Sequence, residues 1–148
     1  MILCEKDRKV FYKVAHNLHL VADFLDAMPE ENTVQMEFFF TDNNGLEIEA
    51  SKLHLDADRG IRHWCGTCAC VLGWATSVPQ LPILTDHIEN GALVMSRYAG
   101  DYFGLPFGGP RGGVWSNCFS AFLSDGRKDA ANRCREDAKY LEDFATTA

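Results

Sequence analysis

From Lys6 to Met28 the apolar residues Val10, Phe11, Val14, Leu18, Val21, Phe24, Leu25 and Met28 return at steps of three and four. That spacing puts them on one stripe of a helix, which Pro29 is expected to close. The period then changes. Val34, Met36, Phe38 and Phe40 alternate with Gln35, Glu37 and Phe39, a turn follows at Thr41-Asp42-Asn43-Asn44-Gly45, and Leu46, Ile48 and Ala50 alternate with Glu47 and Glu49. Period two around Asn-Gly predicts a β-hairpin over about 33–51, with its apolar face on the helices and Glu37, Glu47 and Glu49 on the other face. After Thr67 the pattern loses its polar side: Ala69, Cys70, Val71, Leu72, Trp74 and Ala75 leave no face for water, and Pro79 forbids continuation. A helix over about 68–77, capped by Thr67, therefore has to be surrounded by the rest of the chain.

Three further helical stripes follow. Asn90 is expected to cap a helix carrying Val94, Met95, Tyr98, Ala99, Tyr102 and Phe103, stopped by Gly104 ahead of Leu105-Pro106. Trp115, Cys118, Phe119, Phe122 and Leu123 make the second, ended by Ser124-Asp125-Gly126. The third runs from Arg127 to Phe144, with Ala130, Ala131, Cys134, Ala138, Leu141 and Phe144 inward and Arg127, Lys128, Arg133, Arg135 and Lys139 outward among acids. The expected architecture is a single α+β domain over 1–148, mainly helical: four or five helices around a buried central helix at about 68–77, with one β-hairpin at about 33–51.

Composition narrows the function classes. The 148 residues suffice to bury roughly 70% of the unfolded surface, so neither disulfide nor metal is required for stability. A formal charge of −7, from 21 acidic and 14 basic residues, disfavours a general nucleic-acid binder, which needs a basic face. Met1-Ile2-Leu3-Cys4 runs at once into Glu5-Lys6-Asp7-Arg8-Lys9, which is not signal-peptide patterning, and no run has the length of a membrane span. The expectation is a cytoplasmic protein whose six cysteines are mostly reduced thiols.

Candidate chemistry concentrates at His63-Trp64-Cys65-Gly66-Thr67-Cys68-Ala69-Cys70. Zinc is one reading: Cys65 and Cys68 have knuckle spacing, Cys70 adds a thiol, and His63, His54 or His87 would complete the set. The second pair of ligands such sites use is missing, and Cys70 inside a helix points some 200° from Cys68 at about 100° per residue. A thiol enzyme is another reading, with Cys68 or Cys65 as nucleophile and His63 or His87 as base, Cys68 gaining from a helix N-terminus. The Cys-Gly-Thr-Cys run is similar to that of papain-like proteases, but Arg62 replaces the oxyanion-hole glutamine, Ala69 replaces the aromatic residue, and the chain is too short downstream for that family's histidine. The preferred reading is structural. Cys65 and Cys70 pack at a crowded helix entrance, Gly66 permits the turn and Gly73 permits close approach of a neighbour. Thus neither catalytic residues nor a cofactor is expected, with zinc and a thiol enzyme as alternatives.

Two loops resemble ligand-binding sequences without matching them. Asp56-Ala57-Asp58-Arg59-Gly60 has its glycine one place early for a calcium loop, and Thr67 stands where a bidentate glutamate is needed. The glycine-rich stretch 104–113 lacks the lysine and spacing of a P-loop; amides near Arg111 would offer an anion at most a weak cradle. His16 and His19 lie off the first helix's apolar stripe and are expected at the surface or its boundary.

The run Cys65-Gly66-Thr67-x-x-Cys70-x-x-Gly73-Trp74-Ala75 resembles a set of small bacteriophage and bacterial proteins with a Cys-Gly-Thr-x-x-Cys-x-x-Gly-Trp-Ala core. In those proteins the core follows an N-terminal helix and a Phe/Met-containing segment, and precedes an Ala-x-x-(Phe/Leu)-Gly-Leu stretch and a closing helix. Here 10–28, 36–40, 99–105 and 127–144 fall in that order. Cys68 is not part of the pattern, and the Asn44-Gly45 hairpin is a local elaboration. The resemblance implies no activity and no site residues. It implies a setting: a phage or prophage accessory protein in a bacterial host's cytoplasm that binds a host or defence-system protein as a non-enzymatic inhibitor. The acidic hairpin face, Glu37, Glu47 and Glu49, and the loop bearing Arg111 are the expected contact surfaces.

Overall fold

A computed structural model describes residues 3–28, 33–34, 68–69, 71–104, 118 and 126–147. Its frame is an antiparallel pair of long helices, α1 (Glu5–Ala27) and the last described helix, α4 (Arg127–Thr147). Both form where the apolar stripe predicted them. On α1 the buried set Phe11, Val14, Ala15, Leu18, Val21, Ala22 and Leu25 faces Ala130, Ala131, Cys134, Ala138, Leu141 and Ala145 of α4. Six of these thirteen side chains are alanine, which lets two helix backbones approach closely along the seam. The seam is tied along its length. Arg8 donates to the Ala145 carbonyl, Phe11 meets Phe144 edge-on at 5.5 Å, His19 and Glu142 approach to 3.0 Å, Arg135 bonds Asp23 and Asp26, and Arg127 reaches the Met28 carbonyl. Met28 closes α1 in extended backbone, the conformation that a following proline favours.

Around this pair the chain makes short elements. β1 (Thr33–Val34) pairs in parallel with β2 (Cys68–Ala69), and the Val34 carbonyl accepts from Gly126 N–H at 3.2 Å, which brings the pair to the start of α4. α2 (Val71–Ala75) follows, then a single 3₁₀ turn at Thr85–His87, a hairpin of β3 (Ile88–Glu89) and β4 (Ala92–Leu93), and α3 (Met95–Phe103). The described residues are mainly helical, and Trp74, Tyr98, Phe103, Leu18, Leu25 and Leu141 share one core.

Two expectations need correction. The apolar helix placed at 68–77 is shorter: Cys68 and Ala69 are extended and the helix is the five residues Val71–Ala75. Pairing with β1 satisfies the backbone of 68–69 that the helix would otherwise have used, a tertiary contact overriding local propensity. All five residues of α2 are buried, as an all-apolar helix requires. Asn90 is not a helix cap either. It is the first residue of a two-residue hairpin turn, with φ of 54° at Asn90 and 78° at Gly91, and α3 starts five residues later from Val94. Of the hairpin expected at 33–51 only Thr33 and Val34 are described; its remainder, including Glu37, Glu47 and Glu49, and the helix expected around Trp115 apart from buried Cys118, lie outside the described residues.

Gly104 ends α3 in the left-handed region, at φ 67° and ψ 23°, with its N–H shared between the Ala99 and Gly100 carbonyls. Gly104→Ala keeps those bonds but places a Cβ where L-residues are disfavoured. It is expected to lower the unfolding free energy by about 1–2 kcal/mol, read from a urea midpoint shift at unchanged m-value.

Candidate functional site

The chemistry-bearing residues that the described structure brings together lie on the segment 81–104. Tyr98, Asp101 and Tyr102 fall at i, i+3 and i+4 on α3, so they share one face. Each holds a different point of the preceding chain. The Tyr98 hydroxyl donates to the Leu81 carbonyl at 2.8 Å, the Tyr102 hydroxyl donates to the Pro82 carbonyl at 2.6 Å, and Asp101 Oδ2 lies 2.6 Å from His87 Nε2. From the other side Asn17 of α1 donates to the Tyr102 carbonyl at 2.8 Å, which fixes α3 against the frame.

His87 sits at the centre of this arrangement and is fully buried. Its ring lies edge-on to Tyr98 at 5.3 Å and to Tyr102 at 5.6 Å. Its N–H bonds the Leu84 carbonyl, its carbonyl accepts from Val94 N–H, and Nδ1 accepts from Leu84 N–H at 2.9 Å. A nitrogen that accepts a backbone N–H carries no proton, so the neutral ring has its proton on Nε2, donated to Asp101. Both ring nitrogens are thereby committed, and the lone pair a general base would use points at the Leu84 amide. Burial, and then the neighbouring Tyr102, push the Tyr98 phenol far above its ordinary range. Burial and the Asp101 carboxylate raise that of Tyr102.

A second buried polar cluster joins Cys118 to α4. Its thiol donates to Asp137 Oδ2 at 3.2 Å, and Cys134, one turn before Asp137, lies beside it. A hydrogen bond with Cys134, burial and the negative charge of Asp137 all raise the Cys118 pKa, so it is held as a thiol and is no nucleophile. Cys118 and Cys134 are free and fully buried, as expected of core thiols; Asp137, expected among the outward acids, is only 8% exposed.

The sequence candidates at the cysteine motif are placed only in part. Gly73 and Trp74 are buried in α2. Cys68 stands in extended backbone ahead of α2, so the helix N-terminus that would have activated its thiol is not where it was expected. His63, Cys65, Gly66, Thr67 and Cys70, like His54 and Arg111, lie outside the described residues. Among the described residues no three histidine, cysteine or acidic side chains are grouped to hold a metal ion, and no helix is long and apolar enough to cross a membrane. No family model, curated protein or solved structure matches the chain. The residues that sequence reasoning missed are the partners of His87. Their signal is present as Tyr98-x-x-Asp101-Tyr102: the apolar stripe accounts for Tyr98 and Tyr102 as rings and gives their hydroxyls, and Asp101, no object to hold.

Proposed function

We propose that this chain is a non-enzymatic binding protein, a phage or prophage accessory protein that captures a host or defence-system protein in the bacterial cytoplasm and inhibits it. The observation that carries the reading is the commitment of His87: in the neutral ring both nitrogens, and with them both backbone groups, are bonded within its own fold, so the imidazole there acts as a staple. The Cys118 thiol is likewise committed to Asp137. A chain whose described reactive groups serve its own architecture acts through the shape and charge of its surface, and at −7 that charge is acidic. The setting comes from the resemblance at 65–75, and the contact surface from the hairpin acids Glu37, Glu47 and Glu49, with Arg111 on the glycine-rich loop.

Capture from a host lysate followed by mass spectrometry tests this reading. The variant Glu37→Lys/Glu47→Lys/Glu49→Lys is expected to retain the helical circular dichroism spectrum and to lose partner capture by about tenfold or more, since like-charge juxtaposition across an interface costs several kcal/mol. Equal capture by the variant would remove that surface from the proposal. A partner turned over chemically by the chain would remove the non-enzymatic reading itself.

A further inference from the structure

His87 is the one buried imidazole among the described residues, and its bonding leaves no room for a second ring proton. Nδ1 accepts from Leu84 N–H at 2.9 Å while Nε2–H donates to Asp101 at 2.6 Å. Adding a proton at Nδ1 sets two N–H groups against each other at the Leu84 end. At the other end it turns a hydrogen bond from a neutral ring to a carboxylate into an imidazolium–carboxylate ion pair. The two consequences oppose each other, and they act on different parts of the chain.

We propose that His87 is a proton-operated latch: its protonation releases the turn at 84–86 from the ring while Asp101 holds the ring in place. The turn is superficial: Leu84 is 48% exposed, and Thr85 and Asp86 are exposed as well. Ile83 stays packed against the core and the Leu84 carbonyl stays bonded to His87 N–H, so the displacement is that of the Leu84 amide and opens no core. Both ends stay anchored, at Leu81 and Pro82 by the Tyr98 and Tyr102 hydroxyls and at His87 by its carbonyl bond from Val94. The groups around the ring favour this division. From α3 it meets Asp101, Tyr98 and Tyr102, and the Asp101 side chain is 59% exposed, so its charge is sustained by water. Asp86 lies on the turn itself, Glu89 of β3 is paired with Arg97 of α3 at 2.9 Å, and the contribution of α1 to α3 here is the uncharged Asn17. Asp101 is thus the carboxylate bonded to the ring. The latch stands on these bonds alone and does not depend on the binding reading.

The test is an NMR titration of the ¹⁵N-labelled full chain from about pH 8 to about pH 5, the interval in which imidazoles ordinarily change charge. The His87 ring nitrogens and the Leu84 amide are followed together. The expected result is conversion of Nδ1 from acceptor to protonated nitrogen with a displacement of the Leu84 amide resonance at the same midpoint, and at least tenfold faster exchange of that amide after correction for intrinsic pH dependence. Asp101→Asn keeps an acceptor for Nε2–H but removes the charge, and is expected to move the midpoint of the Leu84 displacement to lower pH. A ring that gains a proton while the Leu84 amide stays put, a ring that gains none across the interval, or an Asp101→Asn midpoint equal to that of the unaltered chain would each overturn the latch. The unaltered chain decides the first two outcomes whether or not the variant folds.

Discussion

Trp74→Ala is expected to lower the unfolding free energy by about 3–5 kcal/mol, a large share of the roughly 5–15 kcal/mol by which a domain is ordinarily stable. Trp74 is 1% exposed, the largest of the fully buried side chains, and its ring packs against Phe24 of α1 at 6.4 Å. A feature specific to α2 keeps the loss from being relieved by local relaxation. A helix of five residues is far too short to persist on its own propensity, so it exists because its side chains are enclosed. Removing the indole leaves a cavity and also weakens the anchor that fixes the backbone between β2 and the Thr76–Leu81 turns, where Thr76 Oγ1 bonds the Gly73 carbonyl at 2.6 Å. Urea denaturation followed by circular dichroism measures the loss. Trp74→Phe, which retains a ring against Phe24, is expected to lose less than half as much. A loss under about 1 kcal/mol for the alanine variant would mean that the indole is not embedded as described.

Long periodic segments were legible, and short ones were legible only in part. Eight apolar residues on a stripe placed α1 to within a residue at each end, and the alanine-rich stripe after Arg127 placed α4. Elements of two to five residues carry too few positions for a period, and they were decided by partners distant in sequence. Cys68 and Ala69 read as helix until Thr33 and Val34 are beside them. Asn90-Gly91 is a different case: it is the same Asn-Gly signal that pointed to a turn at Asn44-Gly45, but its flanking strands are two residues long and an asparagine before an apolar stripe also fits a cap. The site was legible at the level of residues and not of bonds. His87 stood out by type, yet Asp101, fourteen residues on, becomes its partner only once the hairpin turns the chain back along α3. Asp137 departs from the rule that charge predicts exposure, and the Cys118 thiol, distant in sequence, is one of the partners that its buried carboxylate meets.

Those buried thiol and phenol groups set the second large effect, a steep loss of stability in alkali. The Cys118 thiol has an ordinary pKa of 9.0 and the Tyr98 phenol one of 10.0, and in the folded chain both are raised, Cys118 by its bond with Cys134, burial and Asp137, and Tyr98 by burial and Tyr102. A raised acid keeps its proton in the native state at a pH where the unfolded chain has released it. The unfolded state then binds fewer protons, and stability falls as pH rises. The contribution is intact below pH 9, begins to be lost there through Cys118, and is lost faster above pH 10 when Tyr98 joins. Each group contributes a slope of about 1.4 kcal/mol per pH unit, so by about pH 11 the two together remove about 4 kcal/mol. Thermal midpoints between about pH 8 and 11 should show the decline with a break where the second group enters. Cys118→Ser keeps a donor for Asp137 but does not titrate in this range, and Tyr98→Phe removes the phenol together with its bond to the Leu81 carbonyl, at about 1 kcal/mol. Both variants are therefore expected to start lower at neutral pH and to decline less steeply, Cys118→Ser from about pH 9 and Tyr98→Phe from about pH 10. Undiminished slopes in both would place the alkaline transition elsewhere and would mean that neither group is as enclosed as its bonds require.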